Sequence, residues 1–359
     1  MSETVLVTGA FGFIGSAVVR QLAADGRTVI AAGRGSRANR RAARRLPTQV
    51  EVHWADLVEP GAAERLLAEA APSAIIHLAA VIPPRTYQDV AAARRVNVEA
   101  TVALVRAAEG QPHPPRFVLA SSAAVYGARN PHRSEDLIGA TTPVAPCEAY
   151  GLQKLEAEDC VVASSLDWVV LRLGAVLQVV PPSGSFSADS LYVGSALPID
   201  GRTHVIDMRD ATTALIAATT VEVSGEILLV AGDKSTMLRH GEIGEAIAGA
   251  CGLSDCVPAG LPGDPDSDEA WYIVDWMDTT PAQQRLPLPR HSWPDMLADV
   301  RRQMGWKRIP LRLLRPFVAF GLRRQADYGR DVAGRYADPW NAIAARFGDP
   351  RAHRKEAKG

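Results

Sequence analysis

The chain has few cysteines, few aromatic residues and no excess of charge of either sign. Its 359 residues include four cysteines without a CxxC spacing, 6% aromatic residues and a formal net charge of −1. The cysteine usage argues against a disulfide framework, and the charge gives no reason to expect nucleic acid as a partner. No apolar stretch has membrane-spanning length, and no signal peptide precedes the first predicted strand. We therefore expect a cytoplasmic globular protein, without a metal site.

Strand and helix patterns alternate over the first two thirds of the sequence. Helical patterns such as 61–71 and 90–108 separate short apolar runs of strand character. These runs are Thr4–Thr8, Thr28–Ala32, Val50–Trp54, Ala74–Leu78, Arg116–Ala120 and Trp168–Arg172. This alternation predicts an α/β fold with a Rossmann-type, doubly wound parallel sheet. Ligands of such sheets bind at the carboxyl ends of the strands.

The pattern loosens after Val176, which sets the predicted domain boundaries. We expect a dinucleotide-binding Rossmann domain over residues 1–175, with 203–232 returning to it. Residues 176–202 and 233–305 then form a smaller substrate-binding domain, and 306–359 form a helical C-terminal extension.

The extension mixes apolar side chains with arginines, which leaves three roles open. It could pack on its own domain, cover the substrate pocket or a partner subunit, or contact an anionic membrane surface. Pro310 and Pro316 interrupt the pattern, so membrane contact is not the favoured prediction. Two loops are expected at Pro181–Ser185 and Gly260–Asp268, and a disordered tail at Arg351–Gly359.

A glycine-rich turn directly follows the first predicted strand. Its spacing is GxxGxxG, and a helical pattern begins at once after it. Backbone N–H groups at such a turn, together with the helix dipole, form a site for a pyrophosphate. Gly9 allows the tight turn, Gly12 lets phosphates approach the backbone, and Gly15 lets the helix pack close to the strand. A purely structural turn is the alternative. The predicted contacts are Gly9, Phe11, Gly12, Phe13, Ile14 and Gly15.

Three residues form a candidate catalytic set. Tyr150 and Lys154 stand four residues apart in a helical pattern and therefore share one helix face. A neighbouring ammonium favours the phenolate, which would bring a phenol with a pKa near 10 closer to neutral pH. Ser122 ends the fifth predicted strand, where its hydroxyl could bond a substrate oxygen beside Tyr150. A serine-rich structural turn is the alternative for Ser122.

Together these motifs resemble the extended short-chain dehydrogenase/reductase family, in its NAD-dependent epimerase/dehydratase group. The resemblance covers residues 3–235 in order and spacing. The matching motifs are Gly9-x-x-Gly12-x-x-Gly15, Asp56-Leu57, His77-Leu78-Ala79-Ala80, Asn97 with Thr101, Ser121-Ser122-x-x-Val125-Tyr126-Gly127 and Tyr150-x-x-x-Lys154.

The resemblance implies a role for each matching position. Ser122 would orient the reacting oxygen, Tyr150 would act as the general acid/base, and Lys154 would bind the nicotinamide ribose. Asn97 resembles a helix residue that supports the site; an exposed polar residue is the alternative. The further implied cofactor contacts are Asp56, Leu57, Leu78, Ala79, Ala80, Ala120, Tyr150 and Lys154. A homodimer paired through the helices of Asn97 and Tyr150 is also implied.

The end of the second strand bears on the choice of cofactor. NAD-selective members of the family usually carry an acidic residue there, to bind both ribose hydroxyls. This chain has Arg34 instead, followed by Ser36 and Arg37. Arg34 could stack on the adenine and pair with a 2′-phosphate, while the other two add hydrogen bonds. The sequence therefore favours NADP over NAD.

The sequence also favours one reaction over its alternatives. Residues 123 and 124 are alanines, so the carboxylates that drive water elimination in dehydratases are missing. Arg202 lies in a shifted register relative to the arginine that holds the diphosphate in nucleotide-sugar members. We therefore expect a carbonyl reductase or alcohol dehydrogenase acting on a small or apolar carbonyl substrate. A nucleotide-sugar epimerase with retained NAD is the alternative, and a non-catalytic dinucleotide sensor the third hypothesis.

Overall fold

A computed structural model describes residues 4–178, 188–257, 260–325 and 334–351. Its main sheet has seven parallel strands in the order β3-β2-β1-β4-β5-β6-β9. Their bounds are β1 Thr4–Thr8, β2 Thr28–Gly33, β3 Glu51–Trp54, β4 Ala74–His77, β5 Arg116–Ser122, β6 Trp168–Leu173 and β9 Glu226–Val230. The strands predicted from the apolar runs are all present, and the fold is of Rossmann type as predicted.

Helices cover both faces of this sheet. Up to the end of β9 they are α1 Phe13–Ala24, α2 Arg37–Ala43, α3 Ala62–Ala70, α4 Arg85–Gln88, α5 Val90–Arg94, α6 Ala100–Glu109, α7 Ala149–Val162, α8 Ala188–Ala196 and α9 Met208–Ala217. The continuous helix predicted over 90–108 is interrupted by a π-helical turn at Arg95–Glu99. Such turns are frequent at functional sites.

The central strands are largely apolar because each face of the sheet packs against helices. On one face, Val5 and Val7 of β1 belong to a cluster that includes Val18 and Leu22 of α1. On the other face, Leu6 packs in a cluster with residues of α3, α6 and α7. Because all the strands of this sheet are parallel, their carboxyl ends share one edge of the sheet.

A second, three-stranded sheet lies beyond β6. It consists of β7 Ala175–Leu177, β8 Arg202–Asp207 and β10 Met237–Arg239, in the order β10-β8-β7. Within the segment 203–232, β9 is part of the main sheet and α9 packs against α1, whereas β8 belongs to the second sheet. The second sheet packs on α10 His240–Cys251 and α12 Trp293–Met304. The domain boundaries themselves stay a prediction.

Further helices follow this second sheet. They are α11 Thr280–Arg285, and in the extension α13 Arg308–Leu313, α14 Arg315–Gln325 and α15 Pro339–Phe347. The loop predicted at Pro181–Ser185 and nearly all of the predicted tail lie outside the described residues. None of the helices within the described ranges is long and apolar enough to cross a membrane.

The last helix of the extension packs close to the start of α7. Trp340, Ile343 and Phe347 of α15 are buried in a cluster with Tyr87 and Cys147. The Trp340 indole donates a hydrogen bond to the Trp271 carbonyl at 3.1 Å, and the Ala149 amide donates to the Pro350 carbonyl at 2.9 Å. Part of the extension thus supports the segment that leads into Tyr150.

Candidate active site

The glycine turn has the geometry of a close-packed strand–turn–helix junction. Gly9 has a φ of +65°, and a Cβ built there would lie 2.7 Å from the Ala79 nitrogen. A Cβ on Gly15 would lie 2.2 Å from the Gly9 carbonyl oxygen, far below any real contact. Both positions therefore require glycine, one for its backbone conformation and both for space.

This turn presents free amide donors at the start of α1. Gly12 is the N-cap, and it has no side chain that could accept from the first turn. The first α1 bond runs from the Ser16 amide to the Gly12 carbonyl at 3.0 Å. The amides of residues 13–15 precede that bond and point away from the helix. The cradle therefore fits the pyrophosphate of a dinucleotide.

A cleft of about 250 Å³ opens beside the turn, at the carboxyl ends of β1, β2 and β4. It is lined by the predicted residues Gly9, Phe11, Gly12, Arg34, Asp56, Leu57, Leu78, Ala79 and Ala80. It is also lined by residues the sequence did not single out, Thr8, Ala32, Gly33, Asn39, Ala55, Val58, Val81, Val96 and Ala100. Asp56 is the only carboxylate in this lining among the described residues.

Other predicted cofactor residues take supporting positions. Half of the Phe13 side chain is exposed at the surface, and Gly15 is buried in the helix junction. The Ser36 hydroxyl caps α2 by accepting from the Asn39 amide at 3.1 Å, and Arg37 starts that helix at the surface. Phe13, Ile14, Gly15, Ser36, Arg37, Ala120, Tyr150 and Lys154 are not part of the cleft lining.

The end of β2 carries an ordered set of side chains around Arg34. The Asn39 side-chain amide donates to the Arg34 carbonyl at 2.8 Å and so fixes the backbone after β2. Phe11 stacks on Trp54 with ring centroids 5.0 Å apart, and the Arg40 guanidinium lies 4.8 Å from the Trp54 ring. Arg40 is thereby engaged on the outside, whereas the exposed Arg34 lines the cleft.

A buried histidine joins β1, β4 and α6. The pKa of His77 is lowered to about 3, mainly by burial and further by the charge of Lys154. His77 is therefore neutral at physiological pH. Its Nδ1 lies 2.7 Å from the Thr8 hydroxyl and its Nε2 lies 3.0 Å from the Thr101 hydroxyl. Because Thr101 donates to the Asn97 carbonyl at 2.9 Å, the network assigns the proton to Nε2.

Asn97 fastens the loop after β4. Its side-chain oxygen accepts from the Val81 amide at 2.7 Å, and its Nδ2 donates to the Val81 carbonyl at 2.9 Å. Nδ2 also donates to the Gln153 side-chain oxygen on α7 at 2.8 Å. Asn97 is buried, so the exposed-residue alternative is wrong. It ties the cleft wall to the helix that carries Tyr150 and Lys154.

The structure brings Ser122, Tyr150 and Lys154 together at the end of β5. The Ser122 hydroxyl is close enough to the Tyr150 phenol to lower its pKa. The Lys154 ammonium lies 6.0 Å from the centre of the Tyr150 ring and donates to the Ala120 carbonyl at 2.9 Å. A Cβ on Gly151 would lie 2.5 Å from the Ala124 carbonyl, so glycine there lets α7 approach this strand end closely.

The ionisation of this set is governed by burial. Burial raises the pKa of Tyr150, while the hydrogen bond with Ser122 lowers it and the charge of Glu148 raises it. Burial lowers the pKa of Lys154 to about 8, against the opposing effect of Glu158. The phenol pKa brought towards neutral pH, as the sequence predicts, is therefore not found in the free protein, because burial raises the pKa of Tyr150 more than its neighbours lower it. The site holds a neutral phenol beside an ammonium that can lose its proton close to physiological pH.

Catalytic efficiency should fall as the pH rises through about 8. Above the lowered pKa of Lys154 the ammonium is lost, and with it the positive charge that favours the Tyr150 phenolate. The profile of kcat/KM against pH, which reports the free enzyme, measures this. Lys154→Arg keeps its charge, so whatever activity it retains should show no fall between about pH 7 and 9. An identical fall in both proteins would assign it to another group.

The carboxylate of Glu148, which the sequence did not single out, caps the start of α7. Glu148 is fully buried, and its side chain accepts from the Tyr150 amide at 2.7 Å and from the Gly151 amide. The Tyr87 hydroxyl lies beside Glu148 and Tyr272. Burial raises the pKa of Glu148 to about 7, against the effect of these donors. Glutamate is not among the residues usually preferred at an N-cap, so the sequence carried no signal for this role.

The other end of the site is held by a buried ion pair. Arg172 of β6 donates to Glu158 of α7 at 2.6 Å through Nη2, and to the Tyr126 hydroxyl at 2.7 Å through Nη1. Ser121 also donates to Glu158. These contacts join α7 to β5 and β6, and so fix the helix that carries Lys154.

Arg202 has structural partners. Its guanidinium donates to the Ser134 carbonyl at 2.7 Å and to the Pro131 carbonyl at 3.0 Å, and lies 3.7 Å from Asp275. Trp276 covers it at 4.7 Å. The shifted register noted in the sequence thus places this arginine in the framework around the second sheet. Among the residues that the structure describes, no cluster of histidine, cysteine or carboxylate side chains could hold a metal ion.

The Rossmann-type fold and the arrangement of this site are those expected of a short-chain-dehydrogenase type of protein. Residues 5–177 match the NAD dependent epimerase/dehydratase family. This match covers a little under half of the chain and agrees with the family that the motifs predicted.

Two curated proteins and one solved structure show what this chain is similar to. UDP-glucose 4-epimerase 4 of Oryza sativa subsp. japonica is 32% identical over 52% of this chain and 53% of its own length. D-erythronate dehydrogenase of Cupriavidus necator is 32% identical over 53% of this chain and 60% of its own. The chain thus spans a little over half the length of these curated relatives. The structure of Thermus thermophilus UDP-glucose 4-epimerase in complex with NAD has a TM-score of 0.66, at 22% identity over 84% and 98% of the two chains.

These findings correct the reaction predicted from the sequence. Named UDP-glucose 4-epimerases recur among the sequence relatives, and they contradict a carbonyl reductase as the main prediction. The alternative, a nucleotide-sugar epimerase, is the better supported. The prediction leaned on the register of Arg202, which is used structurally here and therefore says nothing about the substrate. Likewise, the preference for NADP is not supported by the solved relative, which holds NAD.

Proposed function

We propose that this protein is a UDP-sugar 4-epimerase. The observation that carries the proposal is the placement of Ser122, Tyr150 and Lys154 around one strand end, beside a glycine cradle that fits a dinucleotide. The names of its sequence relatives supply the substrate class. Alanines at positions 123 and 124 leave no acid for the elimination of water, so the set suits reversible oxidation at one carbon.

The residues of the site divide the chemistry between them. A bound nicotinamide would supply a hydride acceptor and donor at one sugar carbon, and a positive charge that lowers the pKa of a neighbouring phenol. Tyr150 takes the proton of the sugar hydroxyl and later gives it back. Ser122 holds the oxygen through which that proton passes. Lys154 supplies positive charge near the phenolate, and residues 9–15 hold the pyrophosphate.

The experiment is conversion of a UDP-sugar without net change of the cofactor. Purified protein with UDP-glucose is followed by proton NMR for the 4-epimer, while absorbance reports any accumulation of reduced cofactor. We expect the two epimers to approach equilibrium from either side at constant absorbance. Absence of conversion with UDP-glucose, UDP-glucuronic acid and UDP-arabinose would contradict the proposal, as would stoichiometric cofactor reduction.

Within this function, we infer that Arg34 lets the site accept a 2′-phosphate. The side chain is exposed, lines the cleft at the end of β2, and has no carboxylate beside it in the described lining except Asp56. An arginine at this place can pair bidentately with a phosphate. The NAD held by the solved relative argues that the unphosphorylated form binds this fold as well.

Arg34→Ala should weaken NADP binding about tenfold while changing NAD binding by less than about threefold. Removing the guanidinium deletes one charge-assisted pair that only the 2′-phosphate can make. Calorimetric titration of both cofactors measures the change, with Arg41→Ala as the matched control on the exposed face of α2. Equal weakening of both cofactors would show that Arg34 contacts a part that they share.

We also propose that two copies pair through the helices that carry Asn97 and Tyr150. In one copy, α6 and α7 pack side by side, and Arg94 pairs with Glu156 of α7 at 2.7 Å. Sedimentation velocity should give twice the mass of the chain, and a single-chain mass at micromolar concentration would contradict this.

A further inference from the structure

Residues 305–321 form an apolar and basic surface outside α10 and α12, here called the α13–α14 surface. Trp306, Leu313 and Phe317 are each about three-quarters exposed, at 74%, 77% and 75%, and Ile309 is 66% exposed. Side chains of this size are normally covered, and a contiguous exposed group of them marks an interaction site.

These side chains lie on one side of the segment. The spacing from Trp306 through Ile309 and Leu313 to Phe317 is three, four and four residues, which is one helical face. Pro310 and Pro316 do not interrupt it, because the Leu314 amide donates to the Pro310 carbonyl at 3.1 Å and the Val318 amide to the Leu314 carbonyl at 3.0 Å. The face therefore runs through the junction of α13 and α14.

The opposite side is fastened to the domain. Leu311 packs against the core of α10 and α12. Arg315 pairs with Asp255 at 2.6 Å and donates to the Ser254 carbonyl at 2.7 Å. These contacts hold the segment in place, so its exposed face points away from the protein.

Charge distinguishes the kinds of partner that could cover this face. The sequence from 305 to 321 contains four lysines and arginines and no acidic residue, although the chain as a whole has a net charge of −1. Lys307 and Arg312 are exposed among the apolar side chains. A symmetric pairing with a second copy would set this basic face against itself. A partner with an apolar interior and an anionic surface complements both the apolar and the basic side chains of this face.

We propose that the α13–α14 surface docks the protein on an anionic lipid membrane. The apolar face enters the boundary between headgroups and acyl chains, and the basic side chains contact the lipid phosphates. The helices lie in the plane of the interface, which agrees with their short length. The sequence did not favour this role because the two prolines argued against one long helix; the junction geometry supplies the continuity.

The test is co-sedimentation of the full chain with vesicles of phosphatidylcholine alone or with about one third phosphatidylglycerol. We expect binding to the anionic vesicles only, weakened by salt. Trp306→Ser with Phe317→Ser should weaken it at least about tenfold, and Lys307→Glu with Arg312→Glu about thirtyfold or more. The matched controls are Leu137→Ser, an exposed leucine elsewhere, and Arg20→Glu with Arg41→Glu.

Epimerase turnover in solution should be unchanged in all these variants, which separates the proposal from the proposed function. Equal binding by the surface variants and their controls would overturn it. So would absence of binding to anionic vesicles. If Trp306→Ser with Phe317→Ser instead converts a self-associated protein into a smaller species without any vesicle binding, the face is an interface between copies and the proposal fails.

Discussion

Replacing Tyr150 by phenylalanine should lower turnover by about 10²- to 10⁴-fold, the usual contribution of a positioned acid/base. The change removes one oxygen and keeps the ring that packs beside Ala124 and Cys147. Ser122 and Lys154 stay in place because their other partners, the Ala124 amide and the Ala120 carbonyl, are backbone groups. Stopped assays of 4-epimer formation give the rate, and calorimetry gives cofactor affinity, which should change by less than about threefold.

The matched control for this variant is Tyr336→Phe. That phenol is partly buried in the extension beside Arg335 and has no part in the site, so turnover should be that of the parent protein. If the Tyr150→Phe variant keeps more than about a tenth of the parent rate, a residue other than Tyr150 is the acid/base. Glu148, two residues before it with a pKa raised to about 7, would be the next group to examine.

The parts of the site that could be predicted from the sequence are those written in local spacing. The glycine turn is one, because its three glycines meet steric limits set within the first strand, turn and helix of the chain. Tyr150 and Lys154 are another, since a helix brings positions four apart onto one face. The alternation of apolar runs predicted the parallel sheet for the same reason.

The parts that could not be predicted depend on contacts between distant segments. Glu158 and Arg172 form one buried pair across α7 and β6, and neither has a sequence neighbour that announces the other. The burial of Asn97 depends on Val81 and Gln153 from two other segments. Arg202 looked like a displaced ligand-binding arginine because its carbonyl partners at 131 and 134 cannot be identified without the fold.

The extension shows the same limit at larger scale. Its two ends behave differently, since α15 is buried beside the start of α7 whereas α13 and α14 expose their apolar faces. Composition alone treats both stretches as apolar residues mixed with arginines. The sequence left packing, covering and membrane contact open as three alternatives. In the structure, α15 packs on the protein's own core, whereas α13 and α14 expose the apolar faces for which we propose membrane contact.

Gly15→Ala should weaken cofactor binding by about 10²- to 10⁴-fold, the loss expected when two charge-assisted hydrogen bonds to the pyrophosphate are broken. The new methyl would stand 2.2 Å from the Gly9 carbonyl oxygen and 2.9 Å from the Ala10 Cα. Neither neighbour is a side chain that can rotate away, so the turn has to open. Opening moves the first amides of α1 off the position that a phosphate needs.

Cofactor titration and chemical unfolding of Gly15→Ala separate the loss of the cradle from the loss of the fold. Overpacking at such a junction costs about 1–3 kcal/mol of stability, which a domain of this size can tolerate. Gly194→Ala in α8, where a Cβ meets nothing within 4 Å, is the matched control and should bind cofactor as the parent does. If Gly15→Ala unfolds at the parent's midpoint and retains cofactor affinity within about threefold, the pyrophosphate does not bind at this turn. The dinucleotide would then have to enter the cleft in another orientation.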